Sequence, residues 1–141
     1  MPITPDLNAD LHILVVNDDP IARRLLLQLL RELGYVKVSE AADGQMALRT
    51  FKSARAISAP IDFVITDCAM PLMDGLTLIG QIRDDAQLRT LPVLMVTAKA
   101  TKDTILNAVR AGTDDYLVQP FTSARLRQKI DALLAKYTFH A

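Results

Sequence analysis

Cys68 is the only cysteine in this chain. That excludes an internal disulfide and any multi-cysteine zinc site, and it fits a reducing cytoplasm. An excess of charge is also missing, because 16 Lys and Arg balance 16 Asp and Glu. Such a balance gives no support for bulk binding to nucleic acid or to an anionic membrane. No apolar run approaches the roughly 18 residues of a membrane span, so membrane insertion is not expected. The opening "MPITPDLNAD" has prolines and acids where a signal peptide needs a basic and then an apolar stretch. Residues 1–10 read as a flexible leader, and 138–141 as a tail. Internal repeats and low-complexity tracts are absent too. What remains is 141 residues, half of them apolar and 23% charged, the size and composition of one soluble domain.

Two kinds of segment alternate along the chain. Short runs rich in Val and Ile occupy 11–16, 36–39, 61–66, 92–96 and 116–118. Stretches with helical spacing lie between them, at about 20–33, 44–55, 75–84, 101–111 and 122–137. In the first helix Ile21, Leu25, Leu29 and Leu33 follow a near four-residue repeat, and Gly34 stops it as a C-terminal cap glycine does. Gly112 ends the fourth helix. Thr101 and Thr122 are candidate N-caps. The stretch 53–60, "SARAISAP", reads as a long surface connection. Strands near 13–16, 63–65 and 93–96 are almost wholly apolar, as in parallel sheets covered on both faces. Five strand–helix units imply a doubly wound α/β sheet.

In such sheets ligands bind beyond the carboxyl ends of the strands. After the first strand come Asn17, Asp18 and Asp19; after the third, Asp67; after the fourth, Thr97; after the fifth, Gln119 and Pro120. If these strands are neighbours, three acids, a hydroxyl and two amides share one rim. Carboxylates gathered together raise one another's pKa, and Mg²⁺ relieves that while keeping several of its waters. An aspartate beside Mg²⁺ is a nucleophile for phosphoryl groups, and a Thr hydroxyl with backbone N–H groups holds phosphoryl oxygens. Acids at strand ends also cap the following helix, and Asp19, before Pro20, fits either role.

The ordered set of motifs resembles the response-regulator receiver domain, most closely its single-domain, chemotaxis-type members. "VVNDDPIARRLLLQLLRELGY" is similar to the family's acidic first loop and helix, and "VITDCAMPLMDGL" to its phosphoacceptor segment. "EAADGQMAL", "LPVLMVTAKA" and "AGTDDYLVQPF" match in order, so the resemblance spans 11–137. It implies a flavodoxin-like (βα)5 fold with strand order 2-1-3-4-5. It makes Asp67 the phosphoacceptor, with Asp18 and the backbone carbonyl of Ala69 as Mg²⁺ ligands. Thr97 becomes the switch hydroxyl and Tyr116 the switch aromatic. Met70 and Pro71 shape the loop, Lys99 and Ala69 hold variable positions that tune dephosphorylation, and Cys68 is a passive neighbour. The implied partners are a sensor histidine kinase or phosphotransfer protein and a downstream protein, in the cytoplasm, without direct nucleic-acid contact. The chain would then be a regulatory phosphoacceptor and not an enzyme, promoting at most its own phosphorylation and dephosphorylation. Output would use the face formed by the fourth helix, fifth strand and fifth helix.

Two positions depart from the family pattern. Counting back from Arg23 and Arg24 puts Asn17 where the family has its first acid, and Gln119 stands where it has a lysine. Asn17 would act on the metal only through a bound water, so Mg²⁺ affinity should fall. Gln119 offers the phosphoryl group a neutral donor, a loss of about 1–2 kcal/mol on the scale of hydrogen bonds to charged groups. Formal pocket charge is −2 in either pattern if Asp19 is left out, so the two changes are compensating, and the amides are candidates for a direct hydrogen bond. The Gln119–Pro120 bond is expected to be cis.

Three function classes follow. The first is a phosphoacceptor with altered switching; the second is an atypical receiver binding partners independently of phosphorylation. The third, a small enzyme of the same architecture, fits poorly. A haloacid-dehalogenase-like phosphatase needs an aspartate at position 69, which is Ala69, and "NDDP" would repel the phosphate of a flavin.

Overall fold

The computed structural model describes residues 10–68, 74–98 and 101–138. Five strands, β1 (His12–Val16), β2 (Lys37–Ala41), β3 (Phe63–Asp67), β4 (Val93–Thr97) and β5 (Asp115–Val118), alternate with five helices. The helices are α1 (Pro20–Glu32), α2 (Gly44–Ala56), α3 (Gly75–Asp84), α4 (Lys102–Ala111) and α5 (Ser123–Thr138). All strand pairs are parallel, in the order β2-β1-β3-β4-β5, as the sequence led us to expect.

Alternation along the strands divides the core in two. Ile13, Val15, Phe63, Ile65, Leu94 and Val96 point to the face covered by Leu26 and Leu30 of α1 and by Leu126, Ile130 and Leu133 of α5. Leu14, Val16, Val64, Val93 and Met95 point to the other face, against Phe51 of α2 and Leu78, Ile79 and Ile82 of α3. Each fully buried side chain of this size is favourable by about 1.5–3 kcal/mol, which is why the central strands read as unbroken apolar runs.

The helix starts follow capping chemistry. Asp43 accepts from the Met46 N–H and Asp74 from the Thr77 N–H, each at 2.8 Å. Thr101 and Thr122 cap as anticipated, accepting from Thr104 and Arg125 N–H at 3.1 Å. Gly34 (φ 99°) and Gly112 (φ 108°) close the ends of α1 and α4 in left-handed conformations. Arg83 ties α3 to the start of β4 and β5. It pairs with Asp114 at 2.8 Å and donates to the carbonyls of Leu91 and Gly112.

Three local expectations needed correction. The buried stripe of α1 is Leu26 and Leu30, whereas Ile21 and Leu25 are 72% and 57% exposed. A leucine-rich helix offers several apolar rows, and only packing selects one. Residues 53–56 belong to α2 and not to a loop, since Asp43 caps a helix long enough to bury Ala54. Ser58, at φ 60°, then turns the chain. Finally, β2 is shifted to 37–41, because its pairing with β1 runs from His12↔Lys37 to Val16↔Ala41, leaving Val36 exposed.

Candidate functional site

The carboxyl ends of β1, β3, β4 and β5 lie side by side. Val16 is in register with Thr66, Asp67 with Val96, and Thr97 with Val118. The rim inferred from the sequence therefore exists, though Asp67 and Thr97 are the last residues of their strands and do not follow them.

At the end of β1, Asn17 is only 5% exposed. Its Oδ1 accepts the Asp19 N–H at 2.9 Å, which folds the loop back on itself. Asp19 is the N-cap of α1, accepting from the Ile21 N–H at 3.0 Å, with Pro20 at the first helical position. Of its two open roles, the cap is the one the geometry shows. Asp18, between them, is exposed. Arg23 fixes the loop from below: Nη1 donates to the Asn17 carbonyl and Nε to Glu40 Oε1, both at 2.7 Å. In the sequence Arg23 serves only to place Asn17 by spacing; the signal for its structural role is a basic residue one turn inside a helix whose cap lies at a strand end.

Asp67 is half-buried at the end of β3. Its Oδ1 accepts the Cys68 N–H at 2.7 Å, and its carbonyl accepts the Thr66 hydroxyl at 3.0 Å. Burial pushes its pKa up, and the negative charges of Asp18 and Asp19 push it further, against the lowering effect of the Cys68 N–H. The same burial, with Asp67 and Asp74 nearby, raises the Cys68 thiol. Cys68 also packs on the second core half, so it behaves as a pocket neighbour and not as a reactive thiolate. The close start of α3 completes this corner: the Gly75 N–H reaches the Cys68 carbonyl at 2.7 Å, and a Cβ on Gly75 would overlap the Asp67 carbonyl oxygen. The contact explains why glycine stands there.

Thr97 is buried at 6% exposure, and its carbonyl accepts the Gln119 N–H at 2.8 Å. The Gln119–Pro120 bond is cis, as expected. Gln119 is exposed, and with Asn17, Leu25, Leu26 and Phe121 it lines a groove of about 460 Å³. Among the described residues no hydrogen bond joins the two amides, so a direct Asn17–Gln119 bond is not formed; Asn17 Oδ1 is taken by Asp19. Tyr116 is half-buried on β5, with the Lys129 ammonium 5.7 Å from its ring centre. Ala69, Met70, Pro71 and Lys99 lie outside the described residues.

Among the described residues no three His, Cys, Asp or Glu side chains form a metal cage. A hard cation that keeps most of its waters needs fewer protein ligands. Mutual repulsion of Asp18 and Asp67 supplies the charge such an ion would neutralise, and the residues present fit Mg²⁺ in that sense. Among the described residues no helix is long and apolar enough to cross a membrane.

Comparison with known proteins agrees with this geometry. The response regulator receiver domain family matches residues 13–131. Chemotaxis protein CheY-3 of Vibrio cholerae serotype O1 is 42% identical over 130 residues, covering 92% of this chain and 96% of that one. Chemotaxis protein CheY of Pseudomonas aeruginosa is 41% identical over 126 residues, covering 89% and 98%. Among solved structures, the receiver domain of sensor histidine kinase PA1611 from P. aeruginosa PAO1, with a magnesium ion coordinated in its active site cleft, superposes with a TM-score of 0.78. It is 32% identical and covers 89% of this chain and 98% of that chain. A parallel sheet in the order 2-1-3-4-5, an aspartate closing its central strand and a match over most of the sequence lead to one conclusion: the chain belongs to the response regulator receiver domain family.

Proposed function

We propose that this receiver accepts a phosphoryl group on Asp67 and signals through the face formed by α4, β5 and α5. The observation that carries the reading is the state of Asp67, a half-buried carboxylate at the end of the central strand whose pKa is raised by burial and by Asp18 and Asp19. A carboxylate oxygen of Asp67 forms the new P–O bond as the donor's bond to phosphorus breaks. The Thr97 hydroxyl, at the adjacent strand end, and the Gln119 amide are the donors for phosphoryl oxygens. Asp18, Asp67 and the carbonyl of Ala69 are the residues to hold Mg²⁺, with Asn17 contributing through a metal-bound water. The ion supplies charge neutralisation at the carboxylates and the phosphoryl oxygens. Gln119 brings no positive charge, so switching is altered relative to a receiver with lysine at that position. Exposed Ile21 and Leu25 beside the Asn17–Gln119 groove favour a protein phosphodonor, a sensor histidine kinase or phosphotransfer protein, approaching along α1. Incubation with a small phosphodonor and Mg²⁺, read by intact mass, tests the reading: label on wild type and none on Asp67→Ala.

The neutral Asn17 and Gln119 favour a second reading, a module whose partner binding ignores phosphorylation. It requires Asp67→Ala to bind the downstream protein as wild type does; the first reading requires that binding to lose its dependence on phosphodonor.

A further inference from the structure

Asp115 and Lys129 form a closed pair on the face assigned above to output. Lys129 Nζ lies 3.0 and 2.9 Å from the two carboxylate oxygens of Asp115. The side chains are 18% and 28% exposed, so both charges are largely withdrawn from water. Asp115 is held in place independently of Lys129. Its Oδ1 accepts the Tyr116 N–H at 2.8 Å, and its carbonyl accepts the Thr113 hydroxyl at 2.9 Å. Lys129 in turn sits over the Tyr116 ring. Beside them a groove of about 490 Å³ is lined by Tyr116, Pro120, Phe121, Thr122, Arg125 and Lys129. The groove has an apolar floor and two cations, but the cations are not equivalent. Arg125 donates to the neutral Gln128 amide at 2.8 Å and keeps its charge, whereas Lys129 is neutralised by Asp115.

We propose that Asp115 is a specificity-determining residue of this groove: an internal carboxylate that occupies Lys129, so that the docking segment is an apolar peptide with a single carboxylate, placed at Arg125. This rests on the reading of the face as the output surface. A second acidic side chain of a partner would have to displace Asp115, which is tethered and already oriented, so it competes at high effective concentration. Unpaired, it would be placed against the Asp115 carboxylate, and that repulsion selects against it.

The test is selection of a displayed random dodecapeptide library on the full chain loaded with Mg²⁺ and beryllofluoride, using wild type, Asp115→Asn and Asp115→Asn/Lys129→Gln. The wild type should return apolar peptides with one acid. Asp115→Asn should return peptides with two, the best binding it about tenfold more tightly than it binds wild type. The double variant should lose that gain, which assigns it to Lys129. Equal acidic content from wild type and Asp115→Asn, or affinities within about twofold, would overturn the proposal, as would a library that yields no peptide on any of the three. Phosphodonor labelling of the same proteins separates the two levels. Normal label on Asp67 with unchanged selections removes the role of Asp115 alone, and absent label on wild type removes the parent reading.

Discussion

Gly75 packs so closely on Asp67 that a Cβ there would strike the Asp67 carbonyl oxygen. The start of α3 is thus pressed onto the end of β3, and the backbone position of Asp67 depends on a missing side chain 8 residues later. Gly75→Ala must push the helix away from the strand. Overpacking of this kind costs about 1–3 kcal/mol, to be read as a lower denaturation midpoint. Because the displaced atom belongs to Asp67, labelling by phosphodonor should fall as well. Stability and labelling both at wild-type level would show that the contact is unimportant.

Asp67→Asn should stabilise the protein at neutral pH. The folded-state pKa of Asp67 lies above its ordinary value of 3.8. The folded protein therefore holds this proton more tightly than the unfolded chain, and stability falls as pH rises through the interval between the two values. Asparagine has no proton to lose and avoids the fall. The melting temperature of Asp67→Asn should exceed that of wild type at pH 7, and the difference should close as pH drops below the ordinary carboxylate value. Mg²⁺ should also narrow the gap at pH 7, since the cation favours the charged form of Asp67.

Asn17 and Gln119 share a groove with no hydrogen bond between them, so the coupling expected between them runs through charge. Asn17→Asp alone adds a carboxylate to a buried position, and should raise Mg²⁺ affinity while lowering metal-free stability. Gln119→Lys alone adds a cation near the site and should weaken Mg²⁺ binding. The double variant should recover metal-free stability by more than the sum of the single effects, a coupling of about 0.5–3 kcal/mol. Titrations of Mg²⁺ and urea on the four proteins measure it. Strict additivity would mean that the two positions are independent.

How much was readable beforehand follows from where packing intervenes. The five helices and the rim residues Asn17, Asp18, Asp67, Thr97 and Gln119 were legible, because apolar runs and cap residues are local signals that the fold obeys, whereas the strand order came from the family resemblance alone. The facing of α1 was not, since its Leu-rich sequence permits more than one buried row and only contact with β1 and α5 picks Leu26 and Leu30. The ties of Arg23 to the Asn17 carbonyl and Glu40, and of Lys129 to Asp115, bridge separate elements, and which partners meet is decided only when those elements pack. Gly75 was recognised as a helix start, but its close approach to Asp67 depends on a tertiary distance.

Tyr35 is fully buried, and its hydroxyl has no hydrogen-bond partner among the described residues. Burial, with the charge of Asp131 adding to it, pushes its pKa up to about 12. Tyr35→Phe keeps the ring and removes the unpaired group, so it should stabilise the protein by about 1 kcal/mol. A urea denaturation series shows it as a higher midpoint with an unchanged slope. A loss of stability would mean that the hydroxyl is bonded, through water or a shifted Arg127.

Intact-mass measurement of the full chain after incubation with a small phosphodonor tests the central claim most directly, run with Mg²⁺, with a chelator in its place, and on Asp67→Asn. The account predicts one added phosphoryl group on the wild type in Mg²⁺, little in chelator and none on Asp67→Asn. A wild type that stays unlabelled in saturating Mg²⁺ and donor, or a label that survives in Asp67→Asn, would contradict it.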